Sequence, residues 1–216
     1  MQPEIKICGI STLEAAKTAL NDSADFLGFI HFAKSPRHLS VEAMSALVRQ
    51  VRQYRPDARL VSVVVDPDNA LLHALKSEVA PDLIQLHGQE TPQRVAEVAQ
   101  LMAVPVIKAI SLAEKADLTA ADSYERVADY LLFDAKTPKG ADLPGGMGLS
   151  FDWAIMRDYA GAKPWFLAGG LTAENARDAM RLSGAHRLDV SSGVESAPGV
   201  KDPALISRFL RAAKSL

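Results

Sequence analysis

The chain has 216 residues, 48% of them apolar and 23% charged, with a formal net charge of −2. That is ordinary globular composition at a length that fits one large domain. A near-neutral balance without basic runs argues against nucleic-acid or anionic-membrane partners. Cys8 is the one cysteine, which excludes an intramolecular disulfide and points to a reducing compartment.

The segment Met1-Gln2-Pro3-Glu4-Ile5-Lys6 lacks the charged-then-apolar order of a signal peptide. The apolar stretches fall far short of the ~20 residues that span a bilayer. A cytoplasmic chain, complete from Met1 and with no membrane partner, is expected.

Short apolar runs recur from end to end: Ile5 to Cys8, Phe26 to Phe32, Leu60 to Val65, Leu83 to Leu86, Val104 to Ile110, Tyr130 to Phe133, Trp165 to Leu167 and Leu188 to Val190. Continuous rather than alternating apolar runs mark parallel strands covered on both faces. Amphipathic segments lie between them. Ser11 to Glu14 reads as a capping box, and Ser40-Val41-Glu42 opens a second helix. Thr91-Pro92, Thr172 in T-A-E-N, and Asp202-Pro203 open others, the last presenting Leu205, Ile206, Phe209 and Leu210 on one side.

Strict strand–helix alternation implies a parallel sheet with helical crossovers. The predicted fold class is therefore α/β, a (β/α)8 barrel of eight parallel strands and eight surrounding helices, with 1–216 as a single domain. An open doubly wound sheet is the alternative. One long Gly/Pro-rich stretch, Lys136 to Gly148, follows the sixth run, where a barrel keeps its active-site loops.

Barrel enzymes place catalytic groups at the C-terminal ends of strands. Cys8, Gln85, His87, Lys108 and Asp134 fall at or near such ends. Gly169-Gly170 follow the seventh strand and Ser191-Ser192-Gly193 the eighth, the usual phosphate position. Glycines there let backbone N–H groups approach a dianion closely, and Ser192 adds a hydroxyl donor. Read alone, the same glycines are tight turns and helix entries. His31, His38, His73 and His186 show no metal-ligand grouping, so no metal is expected.

These strings also carry a resemblance. K-I-C-G-I (6–10), K-S-P-R-H (34–38), Q-L-H-G (85–88), L-F-D (132–134), G-G-M-G with F-D-W (145–153), L-A-G-G-L (167–171), and D-V-S-S-G-V-E with P-G-V-K-D (189–202) occur in order along the chain. Together they resemble the phosphoribosylanthranilate isomerase family. The resemblance implies an Amadori rearrangement by general acid–base catalysis in tryptophan biosynthesis, without cofactors.

It implies Cys8 as general base and Asp134 as general acid. It also implies that Arg37 meets the anthranilate carboxylate, that Asp189 contacts the ribose hydroxyls or orients a neighbour, and that His87 lines the pocket. A thiol that accepts a proton needs an electropositive setting, and Lys6 lies two residues away on the same strand face. Asp134 must hold a proton near neutral pH, through burial or a nearby negative charge such as a Cys8 thiolate. Met147 stands where the family has threonine in G-G-T-G, which removes a loop hydroxyl. The alternatives are another phosphosugar-binding barrel enzyme, such as indole-glycerol-phosphate synthase or a pentose-phosphate epimerase, and a non-catalytic sugar-phosphate binder. A sugar-phosphate small molecule is the expected partner and a monomer the expected state.

Overall fold

A computed structural model describes residues 2–136 and 148–215. Eight parallel strands close into a barrel in chain order. They are β1 (Glu4–Cys8), β2 (Phe26–His31), β3 (Arg59–Val64), β4 (Leu83–Leu86), β5 (Val106–Leu112), β6 (Tyr130–Ala135), β7 (Trp165–Leu167) and β8 (Arg187–Val190). The β1–β8 seam pairs Lys6 with Asp189 and Ile7 with Val190, so the two ends of the chain meet across it.

Strand parity separates two cores. Inside the barrel, Phe26, Val61, Leu83, Ile107, Leu132 and Phe166 form an apolar plug, with the Phe26 and Phe166 rings edge-on at 5.3 Å. The alternate residues, among them Ile5, Ile7, Leu27 and Phe29, pack outward into the larger core beneath the helices. Both faces are thus covered, which is why the strands read as unbroken apolar runs. The plug fills the lower barrel, so only the C-terminal mouth is open to chemistry.

The helical layer is uneven. Full helices follow the early strands: α1 (Leu13–Asn21), α2 (Val41–Tyr54), α3 (Asn69–Ala74), which runs on into a π-helical turn to Val79, and α4 (Pro92–Met102). After β5 the chain makes only a 3₁₀ turn and the four-residue α5 (Thr119–Asp122). There the Asp117 carboxylate accepts from the N–H groups of Ala113 and Glu114, while Thr119 and Ser123 hydroxyls donate to carbonyls one turn back. Such local side-chain bonds compete with a longer helix. After β6 the described crossover is a 3₁₀ segment, Trp153–Asp158, capped by Asp152. Two longer helices, α6 (Ala176–Ser183) and α7 (Pro203–Lys214), complete the layer.

Ser40, Thr91 and Asp202 cap their helices as the sequence predicts. Two starts differ. Thr12 rather than Ser11 caps α1, accepting from the Ala15 N–H. Thr172 opens a turn, not a helix: Asn175 Oδ1 accepts from the Thr172 N–H while Asn175 Nδ2 donates to the Gly170 carbonyl, and α6 begins at Ala176. An unforeseen hairpin, β9 (Glu195–Ala197) with β10 (Val200–Lys201), follows β8. Among the described residues no helix is long and apolar enough to cross a membrane.

Candidate active site

A cavity opens at the C-terminal end of the barrel. Cys8 of β1, His87 after β4, Asp134 of β6, Asp189 of β8 and the β7 and β8 loops all line it. Cys8, Gln85, Asp134 and Asp189 are each less than a tenth exposed. Apolar neighbours Ile30, Val63 and Ala168 complete the wall. The mix of apolar wall with few convergent polar groups suits a small-molecule site.

On the β1 side, Lys6 is fully buried and donates from Nζ to Asp189 Oδ1 at 2.8 Å. Gly28 of β2 makes room: a Cβ there would stand 3.0 Å from Cys8 Sγ and 3.1 Å from Lys6 Nζ. Burial pushes the Cys8 thiol up from its ordinary value, and Asp189 adds to this, while Lys6 and Lys201 pull it down. Burial likewise disfavours the Lys6 ammonium, but the negative charges of Asp189 and Cys8 outweigh it and leave the group above its ordinary value. Desolvation thus offsets the electropositive setting expected of Cys8.

Opposite, His87 Nε2 lies 3.4 Å from Asp134 Oδ2, and Asp134 Oδ1 accepts from the Ala135 N–H at 2.8 Å. Gln85 reaches His87 Nδ1 at 2.9 Å, fixing the ring in the cavity wall. Lys108 is not part of this group. It points out of the barrel and is buried against Glu90 at 2.8 Å, while Glu90 also accepts from the N–H groups of Asp66 and Gly88. It braces the β3, β4 and β5 loops from behind.

Arg37 sits on the tight K-S-P-R-H turn, in which the His38 ring accepts from the Phe32 N–H and His38 N–H donates to Ser35. Its guanidinium is buried and forked onto Glu195, Nε to Oε1 at 2.7 Å and Nη2 to Oε2 at 2.8 Å. Lys201 donates to the same carboxylate at 2.6 Å and to the Ser191 carbonyl at 2.9 Å. Burial alone would raise the Glu195 carboxyl, but Arg37 and Lys201 hold it below the usual carboxylate range. Glu195 and Lys201 were not singled out from the sequence. Their signal lies in D-V-S-S-G-V-E and P-G-V-K-D, yet only the hairpin folds them back onto Arg37.

The glycine loops after β7 and β8 meet at the cavity rim. Gly169, Ser191, Ser192 and Gly193 line it, whereas Gly170 stands behind, its carbonyl held by Asn175. Gly169 and Gly170 both have positive φ, +85° and +64°, and a Cβ at Gly169 would stand 2.9 Å from the Ala135 nitrogen. Only glycine suits that bend at that approach. Residues 137–147, with Met147 and most of the loop after β6, lie outside the described residues. Among the described residues no three His, Cys, Asp or Glu side chains gather as metal ligands.

Residues 5–212 match the family model described as N-(5′-phosphoribosyl)anthranilate isomerase. An N-(5′-phosphoribosyl)anthranilate isomerase of Rhodopseudomonas palustris is 47% identical over 215 residues, covering 100% of this chain and 97% of the relative. The crystal structure of phosphoribosyl anthranilate isomerase from Thermotoga maritima superposes with a TM-score of 0.86 at 33% identity, over 99% of this chain and 100% of that one. A second solved structure is of a phosphoribosyl anthranilate isomerase in complex with reduced 1-(o-carboxyphenylamino)-1-deoxyribulose 5-phosphate. It matches with a TM-score of 0.85 at 31% identity over 99% of this chain and 100% of that one. With whole-length likeness in sequence and fold, and the resembling motifs gathered around one cavity, the chain belongs to the N-(5′-phosphoribosyl)anthranilate isomerase family.

Proposed function

We infer that the chain catalyses the Amadori rearrangement of N-(5-phosphoribosyl)anthranilate to 1-(2-carboxyphenylamino)-1-deoxyribulose 5-phosphate, an aldose–ketose isomerisation in tryptophan biosynthesis. The observation that carries this reading is the convergence of Cys8 and Asp134, from strands far apart in sequence, on one cavity rimmed by glycine loops. Acid and base must flank the sugar, and this arrangement supplies both from rigid strand ends.

In the proposed sequence Asp134 protonates the furanose ring oxygen. The bond from that oxygen to C1′ breaks, and the anilino nitrogen lone pair forms a protonated Schiff base. Cys8, as thiolate, removes the C2′ proton, and the C–H electron pair becomes the C1′–C2′ double bond of the enolamine. Tautomerisation then gives the ketone. The cationic Schiff base favours a thiolate nearby, which offsets the burial that raises the thiol. Each step moves only protons and electron pairs of the substrate, so two titratable groups suffice and no cofactor is required.

The phosphate is assigned to the rim at Gly169, Ser191, Ser192 and Gly193, with Gly170 shaping the turn behind it. Arg37 presents its guanidinium to the anthranilate carboxylate, and Glu195 fixes its plane. Asp189 and His87 face the ribose part of the cavity. We further read 1–216 as one catalytic domain, monomeric and cytoplasmic, acting on a small-molecule substrate alone. The low net charge and the solitary cysteine support that reading.

The test is direct. Freshly generated phosphoribosylanthranilate is fluorescent, and its enzyme-dependent loss should proceed without added metal or cofactor, yielding the ketose. Folded protein that leaves the fluorescence unchanged overturns the assignment and turns attention to a different phosphosugar.

A further inference from the structure

Among the largest fully buried side chains of the described residues, only Lys6 is charged. A desolvated ammonium is expensive in a barrel unless it is paired and hydrogen-bonded. Asp189 meets it across the β1–β8 seam at 2.8 Å, from the residue directly in register. The Cys8 sulfur stands beside it: the point where a Gly28 Cβ would sit is 3.0 Å from Cys8 Sγ and 3.1 Å from Lys6 Nζ. An ion pair whose only task was to fill the barrel could stand anywhere along the seam. This one stands against the single cysteine of the chain.

We propose that Lys6 is a positioning residue for the base: clamped by Asp189, its ammonium orients the Cys8 sulfur and stabilises its thiolate. This rests on the reading of Cys8 as general base. Asp189 then influences catalysis through Lys6 as well as facing the ribose. The charged groups around the sulfur are Lys6 from β1, Asp189 from β8 and Lys201 from β10, with Glu195 and Arg37 behind Lys201. His87 and Asp134 face it across the cavity, and β2 brings the uncharged Gly28 and Ile30. Of the two cations that favour the thiolate, Lys6 has the larger influence and Lys201 the smaller.

Because Cys8 is the one thiol, the pH dependence of its alkylation by iodoacetamide reads its ionisation without substrate or turnover. In Lys6→Met the midpoint should rise by at least one pH unit, about a tenfold loss of reactivity at fixed pH below it. In Asp189→Asn, where the ammonium loses its competing carboxylate, the midpoint should fall. Lys6→Arg should restore most of the shift. Turnover in Lys6→Met should fall through kcat more than KM, with the rising limb of its pH profile displaced upward by the same interval.

Should Lys6→Met fail to fold by circular dichroism, Lys6→Gln, which keeps a donor to Asp189 without the charge, should show the same rise. An unchanged alkylation midpoint in either folded variant overturns the role of Lys6. Failure of the base assignment shows itself elsewhere, as near-normal turnover in Cys8→Ser, so the two are separable.

Discussion

The two ends of the barrel carry charge in opposite ways. At the floor, Glu4 accepts from Arg59 at 2.8 Å and lies 2.6 Å from Arg187 in an ion pair, Asp25 accepts from Lys214 at 2.8 Å, and Arg59 also lies 3.8 Å over the Phe26 ring. These side chains are 17 to 41% exposed. At the mouth, the Lys6–Asp189 and Arg37–Glu195–Lys201 groups are at most 8% exposed. Half-solvated pairs cost little to keep and contribute little. Buried pairs carry a desolvation penalty that apolar packing would avoid, so a fold that keeps several of them at one end is using them for something other than stability. That contrast, more than any single residue, marks the mouth as the working end.

The largest expected effect is at the proposed acid and base. Cys8→Ser and Asp134→Asn should each lower turnover by about 100- to 10,000-fold, while urea midpoints stay close to the parent's. Near-normal turnover in either variant removes that residue from the mechanism and weakens the contrast with it.

Next comes the buried network. Glu195→Ala leaves two cations, Arg37 and Lys201, facing each other without their shared carboxylate. A stability loss of about 3 kcal/mol in urea is expected, the scale for breaking a buried pair from one side. KM for the anthranilate substrate should rise with it. A loss within experimental error would show that the mouth tolerates charge as easily as the floor.

The pH dependence sharpens the same contrast. Arg37 and Lys201 hold the Glu195 carboxyl low, so its contribution to stability is complete above the ordinary carboxylate value and is lost as pH falls through its depressed folded value. Glu195→Gln should therefore show a shallower decline of urea midpoint on acidification than the parent. For turnover the direction is opposite in origin. Burial raises the Cys8 thiol, so the thiolate fraction, and with it the rate, should keep rising past the ordinary thiol value. A rate that is flat from neutral to alkaline pH would contradict the thiolate role.

The smallest effect belongs to the floor. Glu4→Gln should cost no more than about 1 kcal/mol and leave kcat and KM unchanged. A clear loss of activity there would mean that the two ends are coupled through β1, which also carries Lys6 and Cys8.

Much of this was legible in the sequence. The runs Leu83 to Leu86 and Trp165 to Leu167 are the observed strands without a shift, because burial on both faces leaves an unbroken apolar signature. Strand order follows, since short crossovers make successive parallel strands neighbours. Cys8, His87, Asp134, Asp189 and the glycine loops could be placed at the mouth because a barrel puts strand ends there. Periodicity did not reveal that the crossover after β5 shrinks to short turns, since Asp117, Thr119 and Ser123 satisfy backbone groups locally instead.

Direction and partnership belonged to the tertiary structure. The sequence puts Lys108 near the end of a strand, yet it lies within β5 and parity turns it away from the cavity and onto Glu90. Glu195 reaches Arg37 across 158 residues only because a two-stranded hairpin folds over the β8 loop. Lys6 and Asp189, 183 residues apart, meet because closing the barrel sets β1 against β8. Local sequence determines which segments become strands, because burial and hydrogen bonding act along a few neighbouring residues. Which charges lose water together is decided by closure, because desolvation depends on everything that surrounds a group once the barrel is shut.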